Sequence, residues 1–178
     1  RRQRQMCIRD RLYGLEPTQP HQVWVSDATF IATDEGFIYL SLITDLASRC
    51  VVGWNAGDTH TAAESIKALQ MALAQLPADR WPIHHSDRGS QYCCHEYVAV
   101  LANRSLPISM TEQNHCYENC YAERVNGILK DEFHLDRPFR TRDQARRAIA
   151  ESIHTYNTRR LHTSLQMRTP KQVHQPAA

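Results

Sequence analysis

Asp27, Asp87 and Glu123 are the residues of this 178-residue chain whose types and settings could do chemistry together. Asp27 lies inside QVWVSDATFIA (22 to 32), a run of β-branched and aromatic residues that reads as a strand. Alternation places it on the face of Val23 and Val25, opposite Trp24 and Ser26, and a carboxylate within a strand is costly unless it is paired or bound to a cation. Asp87, in HHSDRGSQY (84 to 92), stands just beyond a short apolar run, where open α/β sheets place ligand sites. It is a candidate metal ligand at a strand end, and taken alone it reads equally well as the start of a D-R-G turn. There Gly89 lets the backbone turn and Ser90 bonds locally. Glu123 belongs to ENCYAERVNGILKDE (118 to 132), with Asn119, Asn126, Gly127 and Lys130 at offsets of −4, +3, +4 and +7. These offsets share one helical face, which could equally be the wet face of an ordinary helix. What sets the group apart is the count: 35 residues separate Asp87 from Glu123.

Such residues need elements to position them. After the first strand, Asp34, Glu35 and Gly36 make a turn, FIYLSLITDL (37 to 46) reads as a second strand and RCVVGWNAG (49 to 57) as a third. Short connections make these an antiparallel meander. TAAESIKALQMALAQL (61 to 76) spaces Ile66, Leu69, Leu73 and Leu76 as an amphipathic helix, with Thr61 as N-cap and Pro77 ending the run. WPIHHS predicts a fourth strand, CHEYVAVLANR (94 to 104) a helix and LPISM (106 to 110) a fifth strand. Helical patterns then run from Tyr117 to about Phe133 and from Arg142 to about Tyr156. Three antiparallel strands followed by alternating strands and helices predict a mixed α/β sheet with helices on its faces.

Composition limits the function classes. The length suits one domain, and 42% apolar residues suffice for a core. No apolar stretch reaches the ~18 residues of a membrane span, and the first twenty residues lack a signal-peptide core. The expectation is a cytoplasmic protein without membrane contact. The net charge of +2 conceals a division. Residues 1 to 20 hold five arginines against Asp10 and Glu16; residues 21 to 123 hold five basic and twelve acidic residues; residues 124 to 178 hold eleven basic and five acidic ones. An acidic centre between basic arms suits a metal-dependent enzyme acting on a polyanion, although an unevenly charged surface would look the same. The six cysteines (7, 50, 93, 94, 116 and 120) are irregularly spaced and read as reduced thiols. With His84, His85 and His95 they could supply zinc ligands, which would make the chain a zinc-stabilised DNA-binding module. Adjacent Cys93 and Cys94, and a C-x-x-x-C at 116 to 120 without a matching pair, argue against that alternative.

Asp27, Asp87 and Glu123 resemble the D, D-35-E triad of the retroviral-integrase superfamily. The flanks WVSDATFI, GFIYLSLITDLASRCVVGW, HHSDRGSQY, ENCYAERVNGILKDE and YNTRRLHTSL followed by TP are similar to the catalytic frame of bacterial insertion-sequence transposases, the second reading frame of two-frame elements. The resemblance spans roughly residues 20 to 174 and implies a ribonuclease-H-like, five-stranded mixed sheet with helices on both faces. The departures are Glu118 where the family has aspartate, Arg124 where it has serine after the glutamate, and Cys93-Cys94 where it often has threonine or serine.

The resemblance implies that the three carboxylates hold two Mg²⁺ or Mn²⁺ ions, since hard cations prefer oxygen ligands. One ion would activate a water or a DNA 3′-hydroxyl and the other stabilise the leaving oxygen, first in nicking at the element ends and then in joining the freed 3′-OH to target DNA. A ribonuclease-H-like nuclease that only hydrolyses is the nearer alternative. Lys130 resembles a basic residue used against DNA, with Asn119 and Asn126 on its face. Arg159 and Arg160 in the tail suit phosphate contact. The expected organisation is a basic linker (1 to 20) from an N-terminal DNA-binding portion, a catalytic core (21 to 135) and a basic helical extension (136 to 178). DNA is the expected partner, and a homo-oligomer is expected because two DNA ends must be handled together.

Overall fold

The computed structural model describes residues 17–111 and 120–175. β1 (Val23–Thr33), β2 (Gly36–Asp45) and β3 (Val51–Gly57) form the expected meander. Asp27 stands opposite Leu42 across the antiparallel β1–β2 ladder. α1 (Ala62–Gln75) returns the chain to β4 (Ile83–Ser86), which pairs with β1 in parallel, Val23 against Ile83 and Ser26 against Ser86. α2 (Ser90–Cys93) and α3 (His95–Asn103) lead to β5 (Ile108–Met110), parallel to β4. The sheet order β3-β2-β1-β4-β5 places β1 in the middle. α4 (Cys120–Asp131), α5 (Arg142–Thr158), a 3-10 turn (Thr163–Leu165) and α6 (Pro170–His174) complete the described chain.

Strand alternation sorts the core onto two faces. Trp24, Ile43 and Val52 pack with Ala68, Leu69 and Ala72 of α1 and with Tyr97 and Leu101 of α3. On the other face Ile31, Leu40, Leu42 and Val51 pack with Val125 and Leu129 of α4 and with Ile149, Ile153 and Tyr156 of α5. Val23 and Val25 join Ala122 of α4, so the face carrying Asp27 is the one that α4 covers. A sheet sealed on both sides tolerates a charged residue only where a strand end or a helix edge lets solvent in, and that constraint locates the site.

α1 lies very close to β3. A Cβ built on Gly53 would stand 2.2 Å from the Ala68 carbonyl oxygen and 2.9 Å from the Ala72 nitrogen. Both are helix backbone and cannot rotate away. Gly53→Ala is therefore expected to destabilise the fold by about 2–3 kcal/mol through overpacking, read as a lower urea midpoint; an unchanged midpoint would show that α1 can shift freely.

Two parts of the chain differ from the sequence expectation. The helix expected over 94–104 forms as α3 with Cys94 extended as its N-cap, the sulfur accepting the Tyr97 N–H at 3.4 Å, but an additional short helix over SQYC precedes it. The pair Cys93-Cys94, unexplained by sequence, thus straddles a helix boundary. α6 was not anticipated, although TPKQ carries its signal. The Thr169 hydroxyl accepts the Gln172 N–H, the Gln172 side chain accepts the Thr169 N–H, and Pro170 opens the helix. No helix of the described residues is long and apolar enough to cross a membrane.

Candidate active site

β1, the end of β4 and α4 bring Asp27, Asp87 and Glu123 into one neighbourhood, because β1 and β4 are adjacent parallel strands and α4 packs across β1. Asp27 is largely buried. Its Oδ2 accepts a hydrogen bond of 2.7 Å from the Asn126 side-chain amide. Its pKa is raised from 3.8 to about 6, chiefly by burial; the Asn126 and Ala28 hydrogen bonds oppose the rise, and the charges of Asp87 and Glu123 add to it. Asp87 and Glu123 are thus near enough to act on Asp27.

Asp87 follows β4, and its Oδ1 accepts the Gly89 N–H at 2.9 Å. The turn considered from the sequence therefore exists, and it uses one carboxylate oxygen. Arg88 is held away by its Nε–H, which donates to the Thr111 carbonyl at 2.7 Å and ties the ends of β4 and β5 together. Glu123 is exposed in the first turn of α4. Gly127, one turn on, has no atom within 4 Å of where a Cβ would stand, so the surface beside Glu123 is open. Beneath the site lies the fully buried Tyr92, whose hydroxyl pKa is pushed up by burial, then by Tyr97, Asp27 and Asp87.

Among the described residues no lysine or arginine forms an ion pair with Asp27, Asp87 or Glu123. No three His, Cys, Asp or Glu side chains are grouped closely enough among them to hold a metal ion as they stand. The donor chemistry nevertheless suits a hard divalent cation: oxygen ligands only, mutually repelling, and without a protein counter-charge. Small rotations of exposed Glu123 would change the spacing most cheaply.

The other candidate residues divide. Asn126 is 7% exposed and spends its amide on Asp27, which makes it a positioning group for that carboxylate. Lys130 sits one turn further along the same face, its ammonium 5.1 Å from the centre of the exposed Phe30 ring. Arg160 is engaged by Glu132 in a two-pronged ion pair of 2.7 and 2.5 Å, whereas Arg159 is exposed at the end of α5. Asn119 lies outside the described residues, as do Cys7, Cys116 and Glu118 of the sequence reading. Two of the three histidines of the zinc alternative, His84 and His85, are already occupied. His84 Nε2 lies 2.7 Å from the Ser26 hydroxyl and 2.9 Å from the Tyr97 hydroxyl, with its pKa lowered to about 3 by burial. His85 Nδ1 meets the Ser109 hydroxyl at 3.0 Å. Cys50, Cys93 and Cys94 form no disulfide, and burial pushes the Cys50 thiol up to about 12.

Residues 17–116 match the family model described as an integrase core domain, and residues 104–170 match a second model of the same description. The chain is 40% identical over 167 residues to the insertion element IS600 uncharacterized 31 kDa protein of Shigella sonnei, covering 91% of this chain and 61% of that protein. It is 39% identical over 145 residues to the transposase InsF for insertion sequence IS3A of Escherichia coli K12, covering 81% of this chain and 50% of that protein. It thus spans about half to three-fifths of the length of these relatives. The fold superposes on the HTLV-2 integrase catalytic core domain in complex with magnesium with a TM-score of 0.71 at 22% identity, covering 90% of this chain and all of that one. A chain of the simian T-cell lymphotropic virus intasome in complex with PP2A regulatory subunit B56 gamma gives 0.76 at 21% identity, covering 92% of this chain and 57% of that one. With the ribonuclease-H-like sheet order, the chain belongs to the integrase core domain family.

Proposed function

We propose that this chain is the catalytic core of a transposase that cuts DNA at the ends of an insertion element and joins the freed 3′-hydroxyl to target DNA, with Asp27, Asp87 and Glu123 as the metal-holding acids. The observation that carries the reading is the placement of the three acids on the adjacent strands β1 and β4 and on the helix α4 that crosses β1, in a chain of the integrase core domain family, with no lysine or arginine paired to Asp27, Asp87 or Glu123 among the described residues. Magnesium or manganese, when bound, would supply Lewis-acid activation of the attacking oxygen and charge stabilisation of the leaving one. The chain's own residues do the positioning. Asn126 fixes one oxygen of Asp27, the Asp87–Gly89 turn orients the second carboxylate, and α4 presents Glu123 toward an open surface. Lys130 and Arg159 are placed to meet backbone phosphates, and Asn119 is proposed with them from its sequence position. Arg160 reaches DNA only by sharing or leaving Glu132.

Residues 21 to 135 are proposed as the core proper and residues 136 to 178 as an extension that continues it, while the basic residues 1 to 20 lead in from a DNA-binding portion. A homo-oligomer assembled on DNA would pair two element ends, in the bacterial cytoplasm.

The test is a metal-dependent assay on a labelled duplex carrying an element end. Strand-transfer products longer than the labelled target strand are expected with Mg²⁺ or Mn²⁺. Cleavage with no lengthened product would instead identify a nuclease that only hydrolyses, and stoichiometric zinc in unchelated protein would revive the binding-module alternative.

A further inference from the structure

On the side of α4 away from the acids lies a pocket of about 400 Å³, walled by the start of α4, the end of α5 and the 3-10 turn. Tyr121, Arg124, Val125 and Ile128 line it from α4. At 100° per residue these positions centre about 150° around the helix from Glu123, so the pocket and the acids are separated by roughly a helix width. Val125, Ile128 and Tyr156 give it an apolar floor, while Arg49, Arg124 and Arg160 bring three guanidinium groups to its wall. Among the described residues the one carboxylate paired with any of them is Glu132, on Arg160.

Two buried nitrogens at this pocket lack a hydrogen-bond partner among the described residues: Arg49 Nη1, a donor, and His162 Nε2, a donor in the tautomer protonated there. Buried polar atoms are rarely left so, and two in one cavity point to an absent acceptor. The fold also incurs strain to put Arg49 there. Its φ is +62°, unfavourable for a side-chain-bearing residue. That conformation is held by its own N–H donating to the Asp45 carbonyl at 2.8 Å and by the Tyr156 hydroxyl donating to its carbonyl at 2.9 Å. The guanidinium carbon then lies 4.3 Å from the centre of the Tyr121 ring. Stacking of this kind orients the fork and leaves its N–H edge available. His162 is turned edge to face against Tyr156, 5.3 Å between ring centres. Its pKa falls to about 4, mainly through burial and then through Arg160 and Arg49, with Glu132 opposing the fall.

We infer that this pocket binds a backbone phosphate of DNA other than the one being cut, held by Arg49, Arg124 and the His162 ring, with the hydroxyls of Thr163 and Ser164 at its rim. Two guanidinium groups converging from a turn and a helix, joined by the edge of a neutral imidazole, suit the several oxygens of a phosphodiester better than one planar carboxylate. Arg124, which departs from the serine of related sequences, gains a role here, and so does the histidine of YNTRRLHTSL. The inference rests on the DNA-processing reading above, and binding without metal separates the two.

Full-length chain would be titrated with a short fluorescent duplex in EDTA at several salt concentrations, as wild type, Arg49→Gln, Arg124→Gln and the far-face control Arg104→Gln. Each pocket variant is expected to bind about tenfold more weakly and to lower the slope of log affinity against log salt by about one, with the control unchanged. Arg124 is exposed, so its variant will fold, and melting curves verify this for Arg49→Gln. Inorganic phosphate is expected to shift the His162 ring resonances and raise its pKa in wild type. Unchanged affinity and slope in both pocket variants would overturn the inference. So would pocket-dependent binding of an acidic peptide accompanied by duplex binding that ignores both arginines. If the pocket variants behave as expected but wild type shows no metal-dependent cleavage, the transposase reading fails and the phosphate site stands; active wild type with an unchanged slope is the converse.

Discussion

Asp27→Asn is expected to abolish metal-dependent DNA cleavage, by about 10³-fold or more, while making the metal-free protein more stable at neutral pH. The loss corresponds to about 4 kcal/mol of transition-state stabilisation, the scale of a lost metal contact. The gain follows from the pKa. An acid moved from 3.8 in the unfolded chain to about 6 in the folded one is charged in both states above pH 6. There it destabilises the fold by about 3 kcal/mol. As the pH falls from 6 toward 3.8 the folded form takes up the proton first, and the penalty fades. Asparagine carries no charge and retains a carbonyl oxygen for the Asn126 amide. Denaturant unfolding in EDTA should therefore show the variant ahead of wild type at pH 7.5, with the gap closing as pH approaches 4. Asp87→Asn and Glu123→Gln should share the loss of activity. Retained cleavage in folded variants would remove these residues from the site, and a gap that widens on acidification would refute the assigned ionisation.

The second large effect lies outside the acid cluster. Asp45 is 0% exposed and accepts the His21 N–H at 2.7 Å, the Ser48 N–H at 2.9 Å and the Ser48 hydroxyl at 2.8 Å. The Ser48 hydroxyl also lies 2.9 Å from His174 Nδ1, and the His21 and His174 rings stand 4.5 Å apart. One carboxylate thus fastens the entry to β1, the turn between β2 and β3, and α6. Asp45→Ala strands three buried donors and is expected to cost about 3–5 kcal/mol. Asp45→Asn, which keeps one acceptor oxygen, should cost distinctly less. Urea unfolding gives the energies, and limited proteolysis should release the segment bearing α6 first in the alanine variant. Equal midpoints for the alanine variant and wild type would show the clasp to be incidental. Because the same turn carries Arg49, this loss should also weaken the phosphate pocket.

The sequence carried the order of strands and helices and the face on which Asp27 lies, and it is the source of the proposed acid triad. Those features are local or periodic. β-branched alternation writes a strand, 3.6-residue spacing writes a helix, and a carboxylate inside a strand is conspicuous because so little else explains its cost. The capping box of α6 was equally local and readable in TPKQ. The short helix that ends at Cys93 was less so, since the cysteine sulfur that caps the next helix is an uncommon N-cap.

Tertiary structure alone decided how the polar residues were spent. Asn126 and Arg160 share the sequence signature of DNA-contacting residues, yet one holds Asp27 and the other pairs with Glu132, partners 99 and 28 residues away in the chain. His84 has the makings of a metal ligand and serves two buried hydroxyls. Arg49, in the turn before β3, faces Arg124 and His162 across a cavity that no spacing foretells. Periodicity reports which face a residue occupies. The partner waiting there is set by sheet order and helix packing, because desolvated polar groups must find one another wherever the chain path brings them.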